Sequence, residues 1–450
     1  MINRSFPSNW TVATLGEISS YIQRGKSPKY VESSPLAVIN QKCIRWNQLQ
    51  TEHQKYIHPE QIPTWDANRH VRQGDILWNS TGTGTVGRAY LVKSTDCQPP
   101  KVVDSHVTIV RPNPEVDSRI IFYWIKGPNV QNRIEELCDG STNQVELSRT
   151  AISEIKIPLP PINEQRRIAD KLDRVLARVD ATNEHLSRVA PLIKRFRQSV
   201  LAAATSGRLT EDTSTTSRQV MLQDVALDFS YGSSEKSKPH GKVPVLRMGN
   251  IQGGSIDWSD LVFTDNESEI EKYELAYGDV LFNRTNSPEL VGKTAIYNQG
   301  PRAIYAGYLI RIKCTEELNP FYLNYCLNSP MGRAYSWSVK SDGVSQSNIN
   351  AKKLAAFSFR LPSIEEQSEI VRRVEKLFAF ADRLEERLSQ AQAAVQKLTP
   401  ALLAKAFRGE LVPQDPNDEP ASELLKRLQE SRTESTKPGR ARKPRTRKSP

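Results

Sequence analysis

Leu159-Pro-Pro-Ile-Asn-Glu-Gln165 and Leu361-Pro-Ser-Ile-Glu-Glu-Gln367 are one seven-residue phrase written twice, 202 residues apart. Downstream, Gly207-Arg-Leu209 recurs as Gly409-Glu-Leu411 at the same offset. Upstream the offset drifts. Gly74-Asp-Ile-Leu77 matches Gly278-Asp-Val-Leu281 at 204, Gly87-Arg88 matches Gly292-Lys293 at 205, and Asp139-Gly140 matches Asp342-Gly343 at 203. An internal repeat of this kind divides each half into a front module of variable length and a rear module of fixed length.

The rear modules read as long helices. In the second, Ile370, Val374, Leu377, Ala381, Leu384, Leu388, Ala391, Val395, Leu398 and Leu402 alternate in steps of four and three, a heptad seam. Subtracting 202 gives Ile168, Leu172, Val175, Val179, Thr182, Leu186, Val189, Ile193, Phe196 and Val200, of which nine are apolar. A proline-rich brake precedes each helix and a glycine follows it. Pro191 and Pro400 fall inside the seams, so a kink is expected in each helix. The front modules differ. Asp75-Ile-Leu-Trp78 runs into Asn79-Ser-Thr-Gly-Thr-Gly84, and Asp279-Val-Leu-Phe282 into Asn283-Arg-Thr-Asn-Ser287, the pattern of short strands joined by polar loops.

With both motifs present twice and in the same order, the chain resembles the specificity subunit of type I restriction–modification systems over about residues 10–412. The resemblance implies an α+β protein: two loop-rich α/β target-recognition domains separated by two long helices that form an antiparallel coiled coil. It implies that each domain reads one half of a bipartite, asymmetric double-stranded DNA site. It also implies two methyltransferase subunits and, where present, two restriction subunits as partners. S-adenosylmethionine, ATP and Mg would then be bound by those partners and no cofactor by this chain, which would itself be no enzyme. The expected layout is recognition domain one at 1–158, a helix at 159–206, a polar linker at 207–219, recognition domain two at 220–360 and a helix at 361–411. A tail at 412–450, basic and disordered from about 431, has no counterpart in the first half.

Composition agrees with a folded DNA-binding protein. Of the net charge of +11, residues 431–450 carry +7 and the rest of the chain +4, so the body is only mildly basic. No apolar run is long enough to span a membrane and no signal peptide is visible. Cys43, Cys97, Cys138, Cys314 and Cys326 form no Cys-x-x-Cys pair, which suits reduced thiols in a cytoplasm.

Catalytic motifs fail on inspection. Val291-Gly292-Lys293-Thr294 resembles the end of a P-loop, but Ser287 stands where that pattern needs glycine. Glu154-Ile-Lys156 has a nuclease-like spacing, yet the second half has Ala356 and Ser358 at the matching positions; a charged face on the last strand is the reading. Neither a methyltransferase motif nor metal-ligand histidine spacing is present. A fused recognition enzyme therefore lacks its motif. A stand-alone coiled-coil interaction scaffold explains the heptads and leaves the twin loop-rich domains unexplained.

DNA affinity comes from Lys and Arg on phosphates, and specificity from polar side chains on base edges, commonly on loops. The first-domain candidates are Arg24, Lys26, Asn40, Gln41, Lys42, Asn79, Ser80, Thr81, Thr83, Arg88, Asn143 and Gln144. In the second they are Lys236, Lys238, Arg247, Asn250, Asn283, Arg284, Asn286, Lys293, Gln346 and Asn348. The seam from Ile168 to Val200 spans 33 residues, about 50 Å at roughly 1.5 Å per residue, enough for a ruler between two half-sites about one DNA turn apart.

Overall fold

A computed structural model of the chain describes residues 6–82, 84–139, 145–212 and 216–436, with side chains to residue 433. It divides into two units. One holds the chain up to Glu184 and from Gln392 onward; the other is His185–Ala391.

In the first unit, strand Thr11–Thr14 pairs antiparallel with Lys156–Leu159, so the front domain starts and ends at the root of the first long helix. An antiparallel sheet follows in the order Ser19–Arg24, Val107–Pro112, Ile76–Asn79, Ala89–Leu91. Its central strand alternates sides as a pleated strand must. Ile76 and Trp78 join the core that holds helix Ser118–Lys126, while Leu77 faces a second core with Ile39, Val71 and Ile109. Beside it lies a smaller sheet in which Ala37–Ile39 runs parallel to Lys101–Val103.

The second unit repeats the plan. Arg218–Met221 pairs with Ser358–Leu361. The main sheet runs Ala226–Tyr231, Leu309–Cys314, Asp279–Asn283, Thr294–Tyr297. Val280 and Phe282 face one core and Leu281 the other. A small sheet again holds one parallel pair, Val245 against Ile304. Close approach is shared too: a Cβ on Gly25 would lie 2.1 Å from the Val103 carbonyl oxygen, and one on Gly232 2.2 Å from that of Tyr305.

The long helices are α1 (Ile162–Ser206) and α2 (Ile364–Ala406). They run antiparallel: within the second unit, Val200 and Ala204 share a core with Ile370 and Val374, whereas Leu186 and Ile193 cluster with Ala381 and Leu388. Arg197 reaches Asp382 at 2.5 Å and Glu385 at 3.1 Å alongside this seam. Pro191 and Pro400 are exposed, and each helix runs on through its proline; seam packing on both sides offsets the roughly 3 kcal/mol that an interior proline costs. One expectation needs correcting: the seam is imperfect, for Thr182 and Leu398 face solvent, and Leu403 is buried past the second proline.

Gly207 ends α1 at φ +84° and Gly409 follows α2 at φ +75°, a left-handed turn that glycine adopts without a Cβ clash. Just after Gly207, Thr210 is buried and Arg373 pairs with Asp212 at 2.8 Å. Beyond α2 the chain forms a further helix, α3 (Ala421–Thr436), which extends past residue 431 where disorder was expected. Leu424 and Leu428 are buried with Trp10, Leu15 and Ile18. Residues 437–450 lie outside the described residues.

Candidate nucleic-acid interface

The central strand of the first domain ends at Asn79, and a loop returns to it at Gly87–Arg88. The Asn79 N–H donates to the Arg88 carbonyl at 2.8 Å and the Gly87 N–H to the Asn79 carbonyl at 3.0 Å. Ser80 is buried, its hydroxyl 2.5 Å from that of Thr108. Thr81 bridges to Glu146 and its hydroxyl meets His106 Nδ1 at 2.7 Å. Arg24, at the end of strand Ser19–Arg24, donates to the Glu146 carboxylate and the Ser105 carbonyl. Arg24, Thr81, His106 and Glu146 thus share one spot, with the Arg24 side chain 29% exposed.

The second domain builds the same corner with other side chains. The Asn283 N–H donates to the Lys293 carbonyl and the Gly292 N–H to the Asn283 carbonyl, each at 2.8 Å. The Arg284 N–H donates to the Tyr308 carbonyl at 3.0 Å, as Ser80 does to His106. The Arg284 guanidinium lies 4.7 Å from the centre of the Tyr231 ring. Strand Thr285–Asn286 pairs with Ser347–Asn348, which pairs with Ser341–Asp342. Asn348 Nδ2 donates to Thr285 Oγ1 at 2.7 Å. Matching hydrogen bonds set Arg24 against Tyr231, Ser80 against Arg284, His106 against Tyr308 and Glu146 against Asn348. Cations, amides and rings of this kind are what base edges, phosphates and exposed base faces recognise.

The remaining candidates scatter. Asn40 is buried, donating to the His53 carbonyl at 2.7 Å and accepting from the Lys42 N–H at 2.8 Å. Asn250 is buried likewise, donating to the Asp257 and Asp260 carbonyls at 2.9 Å each. Asn79 and Asn283 are fully buried, and both side-chain polar atoms of Asn283 are without a hydrogen-bond partner in the described structure. Asn40 and Asn250 hold turns with their side chains, whereas Asn79 and Asn283 are the last residues of their strands. Gln41 is half-buried, and its carbonyl accepts from Asn79 Nδ2 at 3.2 Å. Lys26, Lys42 and Lys236 are exposed, with the Lys26 ammonium 5.9 Å from the Trp65 ring. Lys238 pairs with Asp265 at 3.2 Å and Arg247 with Asp260 at 3.1 Å. Arg88 donates to the Gly84 carbonyl at 2.7 Å. Lys293 donates to Gln252 at 3.1 Å; burial, helped by Arg333 and Lys194, lowers its pKa below the ordinary lysine value. Asn286 accepts from the Ser287 N–H at 2.8 Å, and exposed Gln346 sits on the hairpin that ends in Asn348. Thr83, Asn143 and Gln144 lie outside the described residues. Glu154 ends a short helix and Lys156 begins the last strand, so the pair does not share one strand face.

Sequence reasoning missed His106, Tyr231 and Tyr308. Their signal was weak: aligning Gly25 with Gly232 would have set Arg24 against Tyr231, but the upstream offset drifts too much to reveal it. Among the described residues no group of three or more His, Cys, Asp or Glu could hold a metal ion. None of the described helices is long and apolar enough to cross a membrane, and the five cysteines are free.

The family model described as "Type I restriction modification DNA specificity domain" matches residues 7–190 and 229–391, one match for each half of the repeat. The chain belongs to this family. It is 30% identical over 425 residues to the EcoKI specificity subunit of Escherichia coli K12, covering 91% of this chain and 90% of that one. The EcoBI specificity subunit of Escherichia coli is 31% identical over 386 residues, covering 76% and 80%. A chain solved for the assembly and conformational transition of the type I R-M system superposes with a TM-score of 0.71 at 20% identity, covering 90% of this chain and all of that one. The HsdS subunit of Thermoanaerobacter tengcongensis gives 0.56 at 19% identity, covering 91% and 99%. These two likenesses concern the fold. Two recognition domains alternate here with two long helices.

Proposed function

We propose that this chain is the DNA-specificity subunit of a type I restriction–modification enzyme, reading a bipartite, asymmetric site with one domain on each half. The observation that carries this reading is the twice-built corner. The backbone plan is the same at Asn79–Arg88 and Asn283–Lys293, while the side chains at matching positions differ. Equal scaffolds with unequal readers suit two different half-sites, since base identity is read by side chains against base edges. Family membership and the relatives named above support the same conclusion.

The chain works in the cytoplasm and performs no chemistry itself. Two methyltransferase subunits dock on it, joined by two restriction subunits in the full enzyme, and S-adenosylmethionine, ATP and Mg belong to those partners. The test is reconstitution. The purified chain alone should show no nuclease, ATPase or methyltransferase activity, and adding a methyltransferase subunit with S-adenosylmethionine should yield methylation at one two-part sequence. Methyl transfer by the chain alone would overturn the reading.

A further inference from the structure

Val344 is fully exposed, the most exposed large apolar side chain among the described residues. It sits at the apex of a hairpin whose strands, Ser341–Asp342 and Ser347–Asn348, are closed by the Gly343 N–H donating to the Gln346 carbonyl at 2.8 Å. An apolar side chain on a loose tip would fold back onto nearby apolar surface. This tip is held out. The Lys340 side chain, only 7% exposed, is clamped between the Trp337 ring, 4.3 Å away, and the Asp342 carboxylate at 2.5 and 2.6 Å. Lys353 ties the other side of the root, donating to the Val339 carbonyl at 2.6 Å and to Ser341 Oγ at 2.7 Å. Both strands of the hairpin belong to a three-stranded sheet with Thr285–Asn286, and only the turn at 343–346 stands beyond it, narrower than the two-stranded ribbon that the major groove admits. Asn286 lies opposite Ser347 in the row next to the tip, so the apex and the candidate corner are neighbours on one small sheet.

We infer that Val344 is a specificity-determining residue of the second domain, packing its isopropyl group against the 5-methyl group of a thymine in the major groove. This rests on the DNA-reading function proposed above. The chemistry is direct: thymine alone of the four bases presents a methyl group there, and an apolar side chain recognises it by excluding water. The rigid root means that little ordering entropy opposes the contact.

The experiment uses the full chain assembled with its methyltransferase subunits. Bound sites are first selected from a random library to define the second half-site. Each thymine in it is then replaced by deoxyuridine, which removes only the methyl group, and affinities are compared for the wild type and Val344→Ser. We expect one replacement to weaken wild-type binding about fourfold, the worth of roughly one buried methyl. Val344→Ser should weaken the unmodified site by a similar factor and make that replacement silent. The inference is overturned by a selected half-site without thymine, by insensitivity at every thymine, or by a methyl effect that persists in Val344→Ser. It is also overturned if Val344→Ser loosens methyltransferase-subunit binding instead, for the tip is then a protein contact. In all of these a defined two-part site survives. A complex with no preferred site at all sinks the DNA-reading function as well.

Discussion

Gln165 and Gln367 explain why the repeated phrase is kept in both halves. The Gln165 side chain accepts from the Asp117 N–H at 3.0 Å and donates to the Pro160 carbonyl at 2.8 Å. Gln367 accepts from the Asn319 N–H at 2.8 Å and donates to the carbonyls of Glu317 and Pro362 at 2.8 and 2.9 Å. Each glutamine thus ties the start of a long helix to the N-cap of a recognition-domain helix, in a site closed to water. The preceding glutamates fasten the segment that follows the other long helix. Glu164 accepts from Gln414 at 2.5 Å, and Glu366 accepts from Thr210 at 2.9 Å. Replacing Gln367 by Leu leaves one buried donor and two acceptors unmatched, so the second unit should lose about 2–4 kcal/mol, at 1–3 kcal/mol for each orphaned group partly relieved by relaxation. Denaturant unfolding and the appearance of new protease cuts within 207–391 would register it; an unchanged midpoint would refute the clamp. At the reading corner, Arg284→Ala should relax base preference at one position of the second half-site by about 1–3 kcal/mol and leave the first unaltered. A uniform loss across all sequences would instead mark Arg284 as a phosphate contact.

At the scale of elements, α3 completes the first unit. It supplies Leu424 and Leu428, each 2% exposed, and its first N–H donates to the Asn9 carbonyl at 3.0 Å. Burying two leucines contributes about 1.5–3 kcal/mol each, so a chain ending at residue 411 should unfold its first unit at distinctly lower denaturant. Equal midpoints for the full and shortened chains would show that α3 is only an appendage. The two long helices carry the spacing prediction. One heptad inserted between Glu184 and His185 and another between Ala391 and Gln392 keep the seam in phase and lengthen the pair by about 10 Å, equivalent to roughly three base pairs. Sites selected by the lengthened protein should carry a longer gap. Unchanged gap preference in a folded protein would mean that the partners, and not the helices, set the spacing.

At the scale of the whole molecule, modularity is the consequence of building the plan twice. Each front domain returns to its own long helix through its own strand pair, Thr11–Thr14 with Lys156–Leu159 and Arg218–Met221 with Ser358–Leu361. Exchanging residues 1–158 for another recognition domain should therefore change one half-site and leave the other intact, as read by selection of methylated sites. Alteration of both halves would mean that the domains do not read independently.

The sequence by itself determined the repeat, the alternation of loop-rich and helical modules, and the heptad seam. These are one-dimensional patterns: heptad steps, strand alternation and glycine stops each express a local backbone geometry that needs no partner to be recognised. It also placed the chain at Asn79–Arg88 and Asn283–Lys293 as the loops to inspect. What it did not decide was which side chains those loops present. Asn79 and Asn283 read as base-contacting amides yet are fully buried, whereas His106 reaches the first corner, and Tyr231 and Tyr308 the second, from elsewhere in the chain. Nor did it foresee that Leu424 and Leu428 close the core around Trp10, some 400 residues away in the chain. Such pairings depend on strand register and on which face a neighbouring element covers. A shift of one residue exchanges the buried and exposed sides of a strand, so only the tertiary structure can say which polar groups are left facing outward.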